Sequence, residues 1–261
     1  MKLLTIIIST LNKGILGLEK TVSFQHPDIC YLIVHQNHDD IEIPNQLLRD
    51  DITIITTQTK GLSNSRNIGI SNCTTKYGLI ADDDVTYIES GLLEILTIIE
   101  NDKFDVATFK IKTLHGEPEY KNYPFESLLI KEDSKHWVSS IEILLNIESI
   151  KSKDITFDNR FGLGTFLRKG EEQILLFDAM KCNMIIKYFP IYIVNHPYES
   201  SGKKKSKEMF NYFYRGAFDQ RVRKTCSLSD LTSNNLNIIR KTKSILSYYL
   251  GVFYSYCRTK S

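Results

Sequence analysis

The sequence has little of what marks several classes of protein. Its five cysteines are an odd number with no Cys-x-x-Cys pair, so the chain is not a disulfide scaffold, and we expect inert thiols in a reducing compartment. No uncharged apolar run reaches the roughly 18–20 residues that span a bilayer. Hydrophobic residues make up 42% and charged residues 25%, which excludes a wholly disordered or collagen-like chain. The 261 residues suit one α/β domain with a sizeable core, or such a domain with an appendage.

The net charge is also small, but it is unevenly distributed. The formal net charge is +2, whereas residues 202–261 hold 13 Lys and Arg against 3 Asp and Glu. The rest of the chain is therefore acidic in balance. An acidic body with a basic tail predicts that the tail meets an anionic partner.

Strand and helix patterns alternate along the first hundred residues. Continuous apolar runs are typical of strands covered on both faces, and amphipathic spacing is typical of helices. The predicted strands are 3–9, 30–35, 51–57, 77–81 and 105–112, and the predicted helices are 14–24, 61–72 and 89–99. This alternation predicts an α/β fold with a mostly parallel central sheet flanked by helices.

The second half of the chain is less regular. The predicted elements are a loop-rich excursion at 114–135, a strand at 138–146, a loop at 158–164, a helix at 170–182, short strands at 184–187 and 191–195 separated by Pro190, and helices at 208–224 and 236–256. The composition changes near residue 200. We therefore predict two domains, a main domain at 1–200 and a basic, aromatic-rich helical extension at 201–261.

Three consecutive carboxylates, Asp82, Asp83 and Asp84, end the fourth predicted strand. Ligands of open α/β sheets bind beyond the carboxyl ends of the strands. Adjacent carboxylates repel one another unless something neutralises them, and a divalent cation such as Mg²⁺ or Mn²⁺ prefers oxygen ligands. The run predicts a metal site with positions left for phosphate oxygens. A solvated acidic turn is the alternative.

The stretch from Gly61 to Gly69 places small residues at the start of a predicted helix, with Ser63 or Asn64 as the N-cap. Free backbone N–H groups at such a start, together with Arg66, suit a phosphate or a carboxylate. An ordinary capped helix whose arginine pairs with a nearby acid is the alternative.

Two further sites stand later in the chain. Glu171 and Glu172 open the helix predicted at 170–182, where acids suit the helix dipole without any chemistry. A carboxylate beside an anionic ligand could instead have its pKa raised enough to act as a general base. His196 follows the last predicted strand and is a candidate ligand, whereas His35 and His38 lack the spacing of a zinc site.

These motifs, in this order, resemble family 2 of the inverting GT-A glycosyltransferases, especially bacterial enzymes of surface-polysaccharide assembly. The resemblance covers residues 3–200. Its motifs are Ser9-Thr10-Leu11-Asn12, Gly61-Leu62-Ser63 with Arg66-Asn67 and Gly69, Asp82-Asp83-Asp84, Phe161-Gly162-Leu163-Gly164, Gly170-Glu171-Glu172 and His196-Pro197. It implies a GT-A catalytic domain that uses Mn²⁺ or Mg²⁺. Such an enzyme would move one sugar from a nucleotide-diphosphate sugar, here a UDP-sugar, to a saccharide or lipid-linked saccharide acceptor.

The resemblance also implies roles for the matching positions. The donor would be bound by Thr10, Asn12, Gln36, Arg66, Asn67, Asp82 and Asp83, and the metal by Asp84, Asp82 and His196. Glu172 would be the catalytic base and Glu171 would hold the acceptor. The base motif ends in Glu where relatives more often have Asp, which leaves the choice between the two acids open. The segment 35–38 stands where many relatives carry an acidic pair that reads the nucleobase, which leaves the nucleotide open.

For the extension, the resemblance implies an anionic membrane surface and no nucleic acid, because acceptors in the family are often lipid-linked. The residues behind this expectation are Lys203, Lys204, Lys205, Lys207, Arg215, Arg221, Arg223 and Lys224, with the aromatics Phe210, Tyr212, Phe213, Tyr214, Tyr248, Tyr249, Phe253, Tyr254 and Tyr256. Packing of these aromatics onto the main domain is the alternative. We expect a cytoplasmic protein, peripheral at the inner face of the plasma membrane.

Two other functions stay open at this point. One is a catalytically degenerate partner that binds sugar or nucleotide in a polysaccharide assembly complex. The other, less favoured, is a sugar-1-phosphate nucleotidyltransferase. Such an enzyme needs a Gly-rich phosphate loop with Arg and Lys directly after the first strand, and the segment 9–14 does not provide one.

Overall fold

The computed structural model describes residues 2–132, 137–199, 208–222 and 238–258. Contacts divide the chain into two compact units. One consists of Met1–Asn159 with Glu171–Tyr198, and the other of Arg160–Gly170 with Glu199–Ser261. All residues predicted to bind donor, acceptor or metal belong to the first unit. The domain boundary near residue 200 stays a prediction, and the contact-based units place Arg160–Gly170 with the C-terminal helices.

The first unit is built on a nine-stranded mixed sheet. Its strands are β1 (Leu4–Leu11), β2 (Ile29–Gln36), β3 (Ile52–Thr57), β4 (Tyr77–Asp82), β5 (Thr86–Tyr87), β6 (Val106–Lys112), β7 (Leu128–Leu129), β8 (Ile143–Asn146) and β9 (Ile186–Asn195). The order is β3-β2-β1-β4-β8-β6-β9-β5, and β7 pairs with β9. Strands β1 to β4 are mutually parallel, whereas β8 runs antiparallel between β4 and β6. The predicted α/β architecture is confirmed.

Helices cover this sheet, and its central strands form the core. The helices of the first unit are α1 (Leu62–Asn72), α2 (Glu89–Asn101), α3 (Ile147–Ser152) and α4 (Glu171–Lys181). Ile6, Ile7 and Ile8 of β1 are all fully buried, as expected of a parallel strand covered on both faces. The parallel strands end at one edge of the sheet, where Thr10, Gln36 and Asp82 lie at or next to the last residues of β1, β2 and β4.

The helix predicted at 14–24 is wrong. A short 3₁₀ helix spans Asn12–Gly17, and turns follow it. Asn12 has a left-handed backbone with φ of 47°, which turns the chain sharply out of β1. A Cβ added at Gly14 would lie 2.2 Å from Oδ2 of Asp83, so the backbone passes directly against that carboxylate. This close approach selects glycine, and it holds the segment over the edge of the sheet.

Two strand predictions in the second half also need correction. The two short strands expected on either side of Pro190 are one strand, β9. The ladder between β6 and β9 shifts register between Thr108 and Lys110, and this irregularity accommodates a residue that cannot donate a hydrogen bond. The strand expected at 138–146 begins only at Ile143, because a 3₁₀ turn occupies Ser140–Glu142.

The second unit contains α5 (Glu208–Arg221) and α6 (Ile238–Arg258), where helices were predicted at 208–224 and 236–256. Lys203, Lys204, Lys205, Lys207, Arg223 and Lys224 lie outside the described residues. Within the parts of the chain that the structure describes, no helix has the length and apolar character needed to cross a membrane.

Candidate active site

One buried arginine joins the two acidic motifs. Arg66 of α1 is 1% exposed, and its Nη2 donates to Oδ1 of Asp82 at 2.9 Å. Its Nη1 donates to Oε1 of Glu171 at 3.2 Å and lies 3.8 Å from Oε1 of Glu172. The Phe157 ring lies 5.4 Å from the guanidinium carbon, which adds a cation–π contact. The end of β4 and the start of α4 therefore meet at a single cation.

The two glutamates differ in exposure. The Glu171 side chain is 5% exposed and that of Glu172 is 19% exposed. Burial and the adjacent Glu171 carboxylate raise the pKa of Glu172 to about 8, although Arg66 opposes the rise. Burial also raises the pKa of Glu171, again against Arg66. Oε2 of Glu171 is buried and finds no hydrogen-bond partner among the described residues, so it is available to a bound hydroxyl group.

Asp83 is held beneath the 3₁₀ segment that follows β1. Thr10 donates its hydroxyl hydrogen to Oδ2 of Asp83 at 2.6 Å. Burial raises the pKa of this carboxyl group, whereas the hydrogen bond from Thr10 lowers it. Asp83 and Thr10 therefore bind each other directly at the sheet edge.

Asp84 lies beside His196 because β5 pairs with β9 and brings the end of β9 back to the acidic run. Oδ2 of Asp84 is 3.7 Å from Nε2 of His196, and the Asp84 side chain is 67% exposed. Nδ1 of His196 lies 2.7 Å from the Pro197 carbonyl oxygen, to which it donates when it carries the proton. That bond leaves Nε2 as a ligand, which is the usual arrangement of metal-binding histidines.

The predicted three-ligand metal shell is only partly assembled. Two ligands of one metal, with bonds of about 2.1 Å, lie about 3.0–3.5 Å apart, close to the separation of Asp84 and His196. Asp82 faces Arg66 instead, and no group of three His, Cys, Asp or Glu side chains forms a metal cluster in the described part of the chain. Asp84 and His196 are therefore two candidate ligands, and a Mn²⁺ or Mg²⁺ ion at this position stays a prediction.

The remaining predicted donor residues bind neighbouring backbone. Oδ1 of Asn12 accepts from the His38 amide at 2.7 Å. Gln36 donates to the Thr59 and Gly61 carbonyl oxygens at 2.9 and 3.1 Å. Asn67 donates to the carbonyl oxygen of Phe157 and accepts from its amide. These contacts fix the loops around Arg66, and a direct contact of these three side chains with donor stays a prediction.

Sequence reasoning missed two neighbours of the site. Ser140 lies with its Oγ 3.5 Å from Oδ2 of Asp82, and Phe157 stacks near Arg66. No spacing rule links either residue to the acidic motifs. The signal that could have drawn attention to this region is Ser139 with Glu142, which has the spacing of a helix capping box and is fully formed in the structure.

The mixed sheet, with the acidic run at the carboxyl end of β4, agrees with the GT-A glycosyltransferase fold that the sequence motifs resemble. The model of the family "Glycosyl transferase family 2" matches residues 5–173, and the chain belongs to this family. No curated protein matches the chain.

Solved structures of S. aureus TarS share this fold. TarS 1–349 matches with a TM-score of 0.63 and 15% identity, over 97% of this chain and 72% of that one. TarS 1–349 in complex with UDP matches with a TM-score of 0.63 and 15% identity, over 95% of this chain and 71% of that one. TarS 1–349 in complex with UDP-GlcNAc matches with a TM-score of 0.62 and 15% identity, over 97% of this chain and 73% of that one.

Proposed function

We propose that this family 2 member is an inverting glycosyltransferase that moves one sugar from a UDP-sugar to a saccharide or lipid-linked saccharide acceptor in surface-polysaccharide synthesis. The observation that carries the proposal is the cluster in which Arg66 binds Asp82 on one side and the Glu171–Glu172 pair on the other. It brings the predicted donor side and the predicted base into one site. The TarS complexes with UDP and UDP-GlcNAc favour a UDP-sugar as the donor.

The proposed reaction is a single displacement. The acceptor hydroxyl oxygen attacks the anomeric carbon, and the bond from that carbon to the diphosphate oxygen breaks with its electron pair going to the leaving diphosphate. Glu172 accepts the hydroxyl proton, and the anomeric configuration inverts. A carboxylate whose pKa is about 8 suits this task, because a general base works best when its pKa is near the working pH.

Exposure favours Glu172 over Glu171 as the base. Glu171 is the more deeply buried of the two, and its Oε1 is already bound to Arg66. Its Oε2, which has no hydrogen-bond partner in the described part of the chain, suits a hydrogen bond from an acceptor hydroxyl group. We therefore assign Glu171 to acceptor binding, and Arg66 to holding the pair in place.

Asp84 and His196 would hold the Mn²⁺ or Mg²⁺ ion of the proposed enzyme. When bound, such an ion neutralises charge that develops on a diphosphate leaving group. Asp82 is assigned to the donor rather than to the metal, because its Oδ1 is bound to Arg66 and its Oδ2 lies near Ser140.

The second unit is proposed to bind an anionic membrane surface. On α6 the exposed side chains Leu246, Tyr249, Leu250 and Phe253 follow i, i+3, i+4, i+7 spacing and form one apolar stripe, hereafter the α6 stripe. The basic balance of residues 202–261 complements anionic headgroups. Tyr248, one of the aromatics assigned to this surface from the sequence, is instead buried, and its hydroxyl group donates to Asp219.

An assay of purified chain with a panel of nucleotide sugars tests the proposal. We expect slow release of UDP from one UDP-sugar when Mn²⁺ is present, faster release with a saccharide acceptor, and loss of both when the metal is chelated. The anomeric configuration of the product, read by NMR, should be opposite to that of the donor. A chain that binds UDP but neither hydrolyses nor transfers any sugar would instead be the degenerate binding partner.

A further inference from the structure

A short peptide, Trp137–Ser140, lies between the two sides of the candidate active site. Oγ of Ser140 is 3.5 Å from Oδ2 of Asp82 on the proposed donor side. The carbonyl oxygen of Val138 accepts from Nε2 of Gln173 at 3.0 Å. Gln173 directly follows Glu172 in the first turn of α4, so this bond orients the turn that carries the proposed base. The peptide therefore contacts both halves of the site.

Glu142 holds this peptide in place through hydrogen bonds. Its side chain is fully buried, and three donors meet its two carboxyl oxygens. Oε2 accepts from the Ser139 amide at 2.7 Å and from Nζ of Lys121 at 2.5 Å, and Oε1 accepts from the Tyr123 hydroxyl group. Nζ of Lys121 also donates to the Trp137 carbonyl oxygen. One carboxylate thus fixes the peptide directly at Ser139 and, through Lys121, at Trp137.

The same carboxylate ties the peptide to the excursion that precedes it. Tyr123 accepts a hydrogen bond from the Ile111 amide of β6 at 2.9 Å, so its hydroxyl group is fixed to the sheet. A buried ion pair usually adds little net stability compared with apolar side chains of the same volume. Its geometric demands are strict, because each donor must meet a lone pair of the carboxylate. The buried Glu142 carboxyl group is therefore better suited to fixing the positions of the groups that bind it than to stabilising the fold.

We propose that Glu142 is a positioning residue for sugar transfer, which holds the Trp137–Ser140 peptide so that Asp82 and Glu172 face the same substrate. It touches no substrate and acts through Ser140 and Gln173. The inference rests on the proposed function, and it assigns a role to a residue outside every motif of the sequence. Acceptor attack depends on the alignment of base, acceptor and donor, and a misplacement of about 1 Å can cost about 10²-fold in rate. Hydrolysis of the donor by water needs less of this alignment.

The test is a double-mutant cycle on the ratio of transfer to donor hydrolysis. This ratio is independent of the folded fraction, so a merely structural role would not change it. We expect Glu142→Gln and Gln173→Met each to lower the ratio about tenfold. Both variants act through the same peptide, so the double variant should lie within about twofold of the worse single variant. Glu148→Gln, the same change at an exposed glutamate of α3, is the control and should leave the ratio unchanged.

Each outcome has a distinct meaning. An unchanged ratio in Glu142→Gln would contradict the positioning role, and so would fully multiplicative losses in the double variant. Thermal melting and UDP affinity of each variant show whether Glu142→Gln still folds and binds. If it does not fold, Ser140→Ala and Gln173→Met, which cut the two outer contacts of the peptide, must show the reduced ratio instead. A wild-type chain without transfer or hydrolysis would refute the proposed function itself, whereas an active wild type with unaffected variants would refute only the positioning role.

Discussion

The electrostatics of the candidate site depend on one buried cation shared by three carboxylates. Arg66 supplies a single positive charge to Asp82, Glu171 and Glu172, all within ion-pair distance of its guanidinium. If all three were ionised, the partly buried cluster would carry excess negative charge, which is costly away from water. The excess is relieved by the carboxyl group that holds its proton most tightly. Burial of Glu172, together with the negative charge of the adjacent Glu171, therefore raises the pKa of Glu172 to about 8 against the attraction of Arg66.

The first prediction concerns Glu172 as the base. Glu172→Gln keeps the volume and removes the proton acceptor, so turnover in sugar transfer should fall about 10²–10⁴-fold. UDP affinity, measured by calorimetry, should stay near the wild-type value, because Gln still fits beside Arg66. Glu171→Gln should mainly raise the acceptor KM. A Glu172→Gln variant with near-normal turnover, or a larger turnover loss in Glu171→Gln, would move the base to Glu171.

The second prediction concerns the pH dependence of the reaction. A base must be ionised to accept a proton, and kcat/KM reports the pKa of the free enzyme. With a Glu172 pKa of about 8, kcat/KM for transfer should rise about tenfold per pH unit below pH 8 and level off above it. The residual activity of Glu172→Gln should lack this limb. A wild-type profile that is already flat between pH 5 and pH 8 is incompatible with the assignment.

The third prediction concerns the pH dependence of stability. The ordinary pKa of a glutamate side chain is 4.5, and folding raises that of Glu172 to about 8. Below pH 4.5 the carboxyl group is protonated in both the folded and the unfolded chain and has no effect. Between these values the unfolded chain ionises while the folded chain does not, so the group progressively destabilises the fold as pH rises to about 8. Glu172→Gln should therefore melt a few degrees above wild type at pH 8 and at the same temperature at pH 4. Equal melting temperatures at both pH values, measured by scanning calorimetry, would show that the folded pKa is not raised.

At the scale of secondary-structure elements, hydrophobic periodicity predicted the strands and helices that bury a whole face. It missed the segment whose backbone is set by a single close contact. The apolar run of β1 and the amphipathic pattern of α2 each fix an element, because either one places a whole face in the core. Residues 14–24 have apolar side chains at helical spacing, but the backbone of the 3₁₀ segment Asn12–Gly17 is set by the packing of Gly14 against Asp83. A contact between residues so far apart in the chain leaves no local pattern.

The fourth prediction concerns the packing of α5 against α6. A Cβ added at Gly216 would lie 2.0 Å from the Tyr248 carbonyl oxygen, and one at Gly251 would lie 1.9 Å from that of Phe213. Gly251→Ala should therefore force the helices apart and lower the melting temperature of the second unit by several degrees. Gly17→Ala is the matched control, because a Cβ there meets nothing within 4 Å. Faster proteolysis within α6 should accompany the loss, and equal melting of both variants would contradict this packing.

At the scale of the whole molecule, the order of motifs predicted the meeting of distant residues, because parallel strands end at one sheet edge. Asp82 and the Glu171–Glu172 pair were expected in one site, and Arg66 contacts all three. Glu142 could not be predicted, because its partners Lys121 and Tyr123 lie in the irregular excursion before β8. The burial of Tyr248 could not be predicted from the sequence either. Helical spacing in α6 marks two apolar faces, and only the close approach to α5 decides which of them is covered.

The last prediction concerns the α6 stripe, the apolar face of α6 that remains exposed. Burial of the α6 stripe in an interface and attraction of the basic residues to anionic headgroups should act together, so binding should need anionic lipid and weaken with salt. On vesicles of phosphatidylglycerol and phosphatidylcholine, Leu246→Ser with Leu250→Ser should reduce co-sedimentation about tenfold or more, since each leucine contributes about 1.5 kcal/mol or more when buried. Leu48→Ser with Leu93→Ser alters two exposed leucines of the first unit and is the matched control. Equal loss in both pairs would indicate nonspecific adhesion. The double variant lacks the apolar contribution, and high salt screens the electrostatic one. If this variant still binds vesicles at high salt, neither contribution explains the binding, and the proposed membrane partner would be wrong.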